Sequence, residues 1–205
     1  MGLLDIIWEH PALAAGAGFF ICFDGFYVLR LGVTLVANRL LLRRVSPLTT
    51  VRDYGYCAPT DIDVLFHMNN ARYVREMDFG RWGYYMRIGA PMFSDMKVLQ
   101  AAMLVRFRKE ISMFTPFVVE TRLVHWDEQS LFFEQKLITL HDRRARFVSY
   151  SQQRVMGSVG PLQLLAAAFG TETAPPPPPA PESLRAFIEA NSAYKRDLAA
   201  VERRA

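Results

Sequence analysis

Four strand-like runs follow one another late in the chain, and only short turns separate them. They cover residues 97–111, 117–126, 131–140 and 145–156, and in each of them apolar side chains alternate with polar ones over part of the length. Consecutive strands joined by short turns pair antiparallel, because parallel neighbours need a long crossover connection. The pattern therefore predicts an antiparallel meander.

One long helix precedes these strands. Over residues 69–88 apolar and aromatic side chains recur mainly at spacings of three and four. Asn69 or Asn70 would cap the start of the helix, and the Gly-Ala-Pro sequence at 89–91 would end it. At ~1.5 Å per residue the helix is ~30 Å long, and its mostly apolar faces predict burial on more than one side. A long helix followed by antiparallel strands is an α+β arrangement, with residues 51–57 as a candidate first strand.

A dense polar cluster lies immediately before the predicted helix. Within ten residues the chain places two carboxylates, one imidazole and two carboxamides, in the order Asp61, Asp63, His67, Asn69 and Asn70. A loop that leads into a buried helix can hold these side chains and the first helical amides around one cavity. Unpaired N–H groups at a helix start can polarise a carbonyl oxygen, and a nearby carboxylate can act as general base or nucleophile. These are the groups needed to transfer an acyl group to water.

Two further acidic residues, Glu76 and Asp78, lie on the helix itself. A small shift in helical phase decides which of them faces the site. A structural interpretation also stands beside the catalytic one. In that interpretation Asp61 caps a turn, the two asparagines cap the helix and His67 is only a hydrogen-bonding partner.

Residues 1–44 form an apolar N-terminal segment. Its stretch 11–29 is nineteen residues long with one charge, Asp24, close to the ~20 residues that a membrane-spanning helix needs. A basic cluster follows, which favours a cytosolic position for the next domain. We expect a membrane anchor through residues 11–37. The alternatives are a helix docked on the protein or at the membrane interface, and a secretory signal peptide.

The rest of the chain divides into three parts. Residues 45–160 form the predicted domain with the polar cluster, the long helix and the strands. Residues 161–181 form a linker whose five consecutive prolines, at 175–179, predict an extended polyproline conformation. Residues 182–205 predict an amphipathic C-terminal helix. For the prolines a stiff spacer is the main interpretation, and a ligand for an SH3 or WW domain is the alternative.

The composition argues against several classes of function. The net charge is +4, and lysine and arginine are scattered, so the clustered footprint of a nucleic-acid-binding protein is missing. The two cysteines, Cys22 and Cys57, make neither a disulfide framework nor a zinc site, and we expect free thiols. There is no Ser-His-Asp signature, no phosphate-binding loop and no metal-ligating cluster in the sequence. We predict no metal, no cofactor and no nucleic-acid partner.

The chain resembles the hotdog-fold acyl thioesterases in the residues Asp61-Ile62-Asp63 and His67-Met68-Asn69-Asn70-Ala71-Arg72-Tyr73. It is similar to the 4-hydroxybenzoyl-CoA thioesterase group and, in motif spacing, to the plant acyl-ACP thioesterases, whose motif runs Asp-x-Asp-x-Asn-x-His-x-Asn-Asn. It also resembles the family called thioesterase superfamily member 6, in which the likeness extends to Arg75-Glu76, Asp78-Phe79 and Tyr27-Val28-Leu29-Arg30. The likeness covers roughly residues 20–160.

The resemblance implies a hotdog fold, in which an antiparallel sheet wraps around the central helix. It also implies a homodimer with acyl tunnels at the interface, and acyl-CoA or another acyl thioester as the substrate. Asp63 matches the carboxylate that these thioesterases use as nucleophile or base, and His67, Asn69 and Asn70 match their His-x-Asn-Asn. We expect a membrane-associated protein of the endoplasmic reticulum, with secretion as the alternative.

Three functions follow as hypotheses. The first is hydrolysis of a fatty acyl thioester, with Asp63 as base or nucleophile. The second is non-catalytic binding of acyl-CoA or lipid, which is favoured by Leu65, because the acyl-ACP enzymes have Asn at that position. The third is a membrane-tethered scaffold that uses the polyproline segment.

Overall fold

The computed structural model describes residues 10–22, 24–41, 43–91 and 96–203. The chain divides into two compact units, Met1–Leu42 and Arg43–Ala205. All candidate site residues lie in the second unit. The first nine residues of the predicted N-terminal segment lie outside the described ranges.

The N-terminal unit contains two helices where the sequence predicted one. Asp24 is the reason, because its Oδ1 accepts the Tyr27 N–H at 3.1 Å and so caps a new helix. Among the described residues no single helix is long and apolar enough to cross a membrane, and only the pair Pro11–Phe20 and Gly25–Leu40, bent by 84°, reaches that length and composition. The elements are α1 (Pro11–Cys22), α2 (Gly25–Val36) and a π-helical turn (Ala37–Leu41).

Five strands form one antiparallel sheet in the second unit, in the order β1-β3-β4-β5-β2. Strands β3 to β5 form the predicted meander. The prediction that β2 neighbours β3 is wrong, because β2 pairs with β5 at the far edge. Residues 108–115, which connect β2 to β3, are long enough to cross the end of the sheet. The strands are β1 (Val51–Tyr56), β2 (Lys97–Phe107), β3 (Pro116–Trp126), β4 (Ser130–Thr139) and β5 (Ala145–Met156).

Helix α3 (Asn70–Ile88) lies on one face of the sheet, here called the inner face, and contacts β1, β3 and β4. Its bounds confirm the predicted helix. Asn69 is the N-cap, since its Oδ1 accepts the Ala71 N–H at 2.9 Å, and Gly89 ends the helix with a φ of 77°. The α+β class predicted from the sequence is therefore confirmed.

The helix approaches the sheet closely at Gly80. A Cβ atom at this position would lie 2.6 Å from Thr121 Oγ1 and 2.8 Å from Val119 Cγ1. On either side of this contact the buried core is largely aromatic, with Tyr84 and Phe133 towards the end of α3 and Tyr73 towards its start. The glycine thus sets the depth at which α3 lies, and with it the position of the loop that leads into the helix.

The outer face of the sheet is covered by the C-terminal part of the chain. Leu184 is fully buried against Val124 and Phe132, and His125 Nδ1 lies 3.0 Å from the carbonyl oxygen of Pro178. The proline segment therefore runs along the domain and connects two helices that belong to the same unit. These are α4 (Pro161–Phe169) and α5 (Glu182–Glu202).

Candidate active site

The polar cluster forms a tight hairpin, here called the motif loop (residues 61–69). The Asp63 N–H donates to the His67 carbonyl oxygen at 3.0 Å, and the Phe66 N–H donates to the Asp63 carbonyl oxygen at 3.0 Å. Phe66 at the tip has a φ of 60°, in the left-handed region. The backbone thus reverses direction over four residues and brings the Asp63 and His67 side chains to one side of the turn.

Asp63 and His67 are neighbours, as the sequence predicted. His67 Nδ1 lies 3.8 Å from Asp63 Oδ1, which is beyond hydrogen-bonding distance. The Asp63 side chain is 25% exposed and that of His67 34% exposed, so both are accessible from solvent. Asp63 Oδ1 accepts the Leu65 N–H at 2.9 Å, whereas its Oδ2 makes no hydrogen bond with the described part of the chain. One carboxylate oxygen is therefore available to a water molecule or a substrate.

Leu65 contributes to this arrangement through its backbone. Its amide binds Asp63, while its side chain is 68% exposed. Any residue type except proline would supply the same N–H group at this position. The apolar side chain therefore does not disturb the carboxylate next to it.

Asp61 has a structural role. Its side chain is 2% exposed, Oδ2 accepts the Ala58 N–H at 2.9 Å, and Oδ1 lies 2.5 Å from Arg75 Nη2 on α3. Its carbonyl oxygen also accepts the Asn69 N–H at 2.8 Å. Both carboxylate oxygens are engaged, so Asp61 fixes the motif loop against the helix and is closed to a substrate.

At the start of α3 one backbone N–H group is a candidate donor to the carbonyl oxygen of a substrate. The N–H groups of Met68 and Asn69 donate to backbone oxygens. The Ala71 N–H donates to the Asn69 side-chain oxygen, and the Arg72 N–H donates to the Asn69 carbonyl oxygen. By elimination, the amide of Asn70 is the one N–H group between residues 68 and 72 that can polarise a substrate. The Asn70 residue itself is exposed.

Glu76 lies in the interior of the second unit. It is 1% exposed, and with Asp61 it adds to the effect of burial in raising the pKa of the Cys57 thiol to about 11. Glu76, Asp61 and Cys57 are therefore close to one another in the interior. Solvent does not reach Glu76, and the structure does not bring it to the accessible side of Asp63.

Asp78 belongs to a different part of the surface. It lies eight residues along α3 from Asn70, about 12 Å at 1.5 Å per residue, and its Oδ1 accepts from Arg81 Nη2 at 3.1 Å. Asp78 and Arg81 line a cavity of about 370 Å³ between α3 and the first residues of β2. Its other lining residues are Trp82, Tyr85, Met96, Lys97, Val98, Leu99, Gln100 and Gln153. Within one chain, the structure thus separates Asp78 from Asp63.

Sequence reasoning missed two arginines of α3. Arg75 pairs with Asp61, and Arg81 is buried, with Nη1 donating to Gln135 Oε1 at 2.9 Å. Gln135 in turn donates to the Met77 carbonyl oxygen at 2.8 Å. A cation in a mostly apolar helix and a glutamine at an inward position of a strand were the available signals. Among the residues that the structure describes, no group of three or more His, Cys, Asp or Glu side chains is placed to hold a metal ion.

Comparison with known proteins identifies relatives of this chain and solved structures with the same fold. A family model described as the thioesterase-like superfamily matches residues 57–188. Protein THEM6 of Drosophila melanogaster is 35% identical over 175 residues, which cover 83% of this chain and 89% of that protein. Protein THEM6 of Xenopus laevis is 34% identical over 153 residues, with 72% of each chain covered.

A solved 1,4-dihydroxy-2-naphthoyl-CoA thioesterase from Synechocystis superposes with a TM-score of 0.54. The superposition covers 60% of this chain and 96% of that chain at 6% identity, so it shows the fold alone. The predicted hotdog fold, with its sheet around a central helix, is thereby confirmed. The chain belongs to the thioesterase-like superfamily and, within it, to the thioesterase superfamily member 6 family.

Proposed function

We propose that the protein hydrolyses a fatty acyl-CoA thioester, with Asp63 as the reacting carboxylate. The difference between the two aspartates of the motif carries this proposal. Asp61 is buried with both oxygens engaged, whereas Asp63 is accessible, lies beside His67 and has one oxygen without a hydrogen bond to the described part of the chain. A general base or nucleophile must reach the substrate, and of the two only Asp63 can.

The chemistry needs few groups. In the base mechanism, Asp63 Oδ2 takes a proton from a water molecule whose oxygen attacks the thioester carbonyl carbon. The carbonyl oxygen becomes an oxyanion and accepts the Asn70 N–H, where the positive end of the α3 dipole stabilises it. When the intermediate collapses, the carbon–sulfur bond breaks and the thiolate takes the proton from Asp63. The products are a carboxylic acid and a thiol.

In the nucleophile mechanism Asp63 attacks the carbonyl carbon itself and expels the thiolate, and water then hydrolyses the mixed anhydride. The two mechanisms differ in the fate of labelled oxygen when water attacks the Asp63 side-chain carbon of the anhydride. A single turnover in H₂¹⁸O puts the label in the released acid in the base mechanism. In the nucleophile mechanism attack on the Asp63 acyl carbon puts the label in Asp63, where mass spectrometry of the peptide detects it.

We propose that the active form is a homodimer. Strand β2 lies at the edge of the sheet and exposes Leu99, Leu104 and Phe107, and a long, exposed apolar edge is a template for pairing with another strand. The 370 Å³ cavity beside Asp78 lies against this same edge. A partner paired there would close the cavity, which then offers space for the acyl group between the two chains.

We propose that the N-terminal unit attaches the protein to a membrane, through residues 11–37, at the endoplasmic reticulum. The apolar composition of α1 and α2 supports this. If it is correct, the full chain stays in the membrane fraction after alkaline carbonate extraction, whereas a variant without residues 1–42 is released. A glycan acceptor site introduced after residue 43 distinguishes a cytosolic domain from a lumenal or secreted one, because only the latter becomes glycosylated.

Non-catalytic binding of acyl-CoA is the second candidate function. It is favoured by the long separation of 3.8 Å between Asp63 Oδ1 and His67 Nδ1, because a catalytic pair is normally within hydrogen-bonding distance. It predicts saturable binding of acyl-CoA without release of thiol.

The deciding experiment measures free thiol from a panel of acyl-CoA substrates, from short to long chains, with the full chain. Asp63→Asn should lower kcat/KM by about 100-fold or more, because it removes the base. Asp197→Asn, an exposed carboxylate of α5, is the matched control and should leave the activity unchanged. Hydrolysis that survives Asp63→Asn would refute the role of Asp63, and saturable binding without turnover at any chain length would establish the second function instead.

A further inference from the structure

Two exposed phenylalanines lie on left-handed backbone at one end of the sheet. Phe66 has a φ of 60° and is 78% exposed, and Phe114 has a φ of 62° and is 62% exposed. An antiparallel bridge between His67 and Ser112 places the two turns side by side. Bulky residues with positive φ are rare because this backbone conformation is strained. At these two positions the strain lowers the stability of the fold, and the exposed side chains add no packing in return.

Other apolar side chains surround these two. Val64, Leu65 and Met113 are exposed on the same turns. Together with Phe66 and Phe114 they form a surface here called the apolar tip. Contiguous exposed apolar groups of this kind mark interaction sites on soluble domains.

Positive charge borders the apolar tip. Arg108 and Lys109 are exposed at the end of β2, and the Arg108 N–H donates to the Arg146 carbonyl oxygen at 2.8 Å. This bond brings the turn between β4 and β5, with the exposed Arg143 and Arg144, next to the tip. The carboxylate of Asp142 on this turn is bound by Arg146 Nη2 at 2.6 Å. Four exposed cations therefore outnumber the two accessible carboxylates of this end of the sheet that have no Lys or Arg ion pair among the described residues, those of Asp63 and Glu110.

We propose that the apolar tip docks on an anionic lipid surface. The apolar side chains enter the boundary between headgroups and acyl chains, and the four cations contact lipid phosphates. A second copy of this chain fits less well, because a two-fold contact through the tip would bring these cations against their own equivalents. The proposal depends neither on hydrolysis nor on the N-terminal helices. If Asp63 is the reacting group, docking places it beside the lipid surface in which acyl chains dissolve.

The test follows the surroundings of single positions in the full chain. An environment-sensitive NBD fluorophore is attached to a cysteine at Phe66→Cys or Phe114→Cys in a Cys22→Ser background. Cys57 is fully buried, and its pKa is raised to about 11 by that burial, so it does not compete for the label. Glu128→Cys, on the exposed turn between β3 and β4 at the opposite end of the sheet, is the matched control.

With vesicles of phosphatidylcholine containing about 30% phosphatidylserine, the NBD emission at positions 66 and 114 should shift to the blue and rise at least about twofold. A nitroxide-labelled lipid should quench it. The label at 128 should keep the spectrum that it has in water. Reversing two charges with Arg108→Glu and Lys109→Glu should weaken the lipid-dependent change by at least about 30-fold, since each of the two basic residues near an anionic surface adds about 1 kcal/mol.

Two results would overturn the proposal. In one, the labels at 66 and 114 stay in water although the protein has bound the vesicles. In the other, the same labels become buried without lipid and in proportion to protein concentration, which would assign the tip to contact between copies of the chain.

Discussion

Arg75 Nη2 lies 2.5 Å from Asp61 Oδ1, and this ion pair joins the motif loop to the second turn of the central helix. The Asp61 side chain is 2% exposed and that of Arg75 14% exposed, so water does little to weaken the attraction. The first aspartate of the motif thus holds the second in position. Asp63 is accessible because Asp61 carries the structural role.

This division of roles predicts that the same substitution, aspartate to asparagine, changes the stability of the protein far more at position 61 than at position 63. Asp61→Asn removes the buried carboxylate that binds Arg75 Nη2 and should lower the free energy of unfolding by about 3–5 kcal/mol. Asp63→Asn, on the same loop, should change it by less than about 0.5 kcal/mol. Urea unfolding followed by circular dichroism measures both. Equal losses of stability would show that Asp63 is a structural residue too.

Gly80 should not accept a side chain. In an ordinary helix Gly→Ala stabilises by about 0.5–1 kcal/mol. Here the added methyl group would meet Thr121 Oγ1 at 2.6 Å and Val119 Cγ1 at 2.8 Å, so Gly80→Ala should destabilise the protein by about 1–3 kcal/mol. Gly32→Ala, on α2 with no atom within 4 Å of the new Cβ, is the control. Thermal unfolding that shows a stabilised Gly80→Ala variant would contradict the close approach of helix and sheet.

The two phenylalanines of the apolar tip should destabilise the folded protein, because both have a positive φ. Phe66→Gly or Phe114→Gly keeps the left-handed backbone and removes its strain, which costs a non-glycine residue about 1–2 kcal/mol. Either variant should raise the free energy of unfolding by about 1 kcal/mol, while weakening binding to anionic vesicles. Val64→Gly removes an even more exposed apolar side chain (90% exposed) from a residue whose φ is not positive. It should weaken vesicle binding without gaining stability. Urea unfolding and vesicle co-sedimentation of the three variants separate the two effects.

Pairing through β2 should respond to charge at the sheet edge. Leu104→Lys places an ammonium group on this strand, and charged edge positions are how proteins prevent strand addition. The variant should be monomeric by light scattering if the wild type is dimeric. Leu198→Lys changes an equally exposed leucine of α5 and should leave the mass unchanged. Dimers that persist in Leu104→Lys would assign the interface elsewhere.

The turn between β4 and β5 should lose stability in acid. The Thr139 hydroxyl, the Arg144 amide and the Arg146 guanidinium lower the pKa of Asp142 from 3.8 to about 2. A carboxylate with a lowered pKa stabilises the folded state above its unfolded pKa, and this contribution disappears as the pH falls towards the folded pKa. The difference in melting temperature between wild type and Asp142→Asn should therefore be constant above about pH 5 and shrink between about pH 4 and pH 2. A difference that is the same at pH 2 and pH 7 would contradict this.

Local patterns were sufficient to predict most of the secondary structure. Helix α3 and strand β5 are set by side-chain periodicity over many residues and were predicted almost to the residue. The position of β2 was not predictable in the same way, because strand order depends on the route of residues 108–115 around the end of the sheet. The break at Asp24 depends on one capping hydrogen bond, which competes with an otherwise continuous apolar pattern.

The candidate site shows the same limit. The motif located Asp63 and His67, but the roles of Asp61 and Leu65 depend on which atoms meet after folding. Asp61 could be assigned only when Arg75, fourteen residues away, was seen to bind it. At Leu65 the sequence shows the side chain, whereas the group that matters is the backbone N–H.

The proline segment and helix α5 determine how far the chain can be shortened. Leu184 is fully buried against Val124 and Phe132 on the outer face, and Asn191 Nδ2 donates to Gln152 Oε1 at 2.7 Å. A chain that ended at residue 160 would keep every strand and the whole motif loop, yet it would present that aromatic face to water. Such a fragment should aggregate. A shortened chain that keeps this face covered therefore has to extend into α5, well beyond the last strand of the sheet.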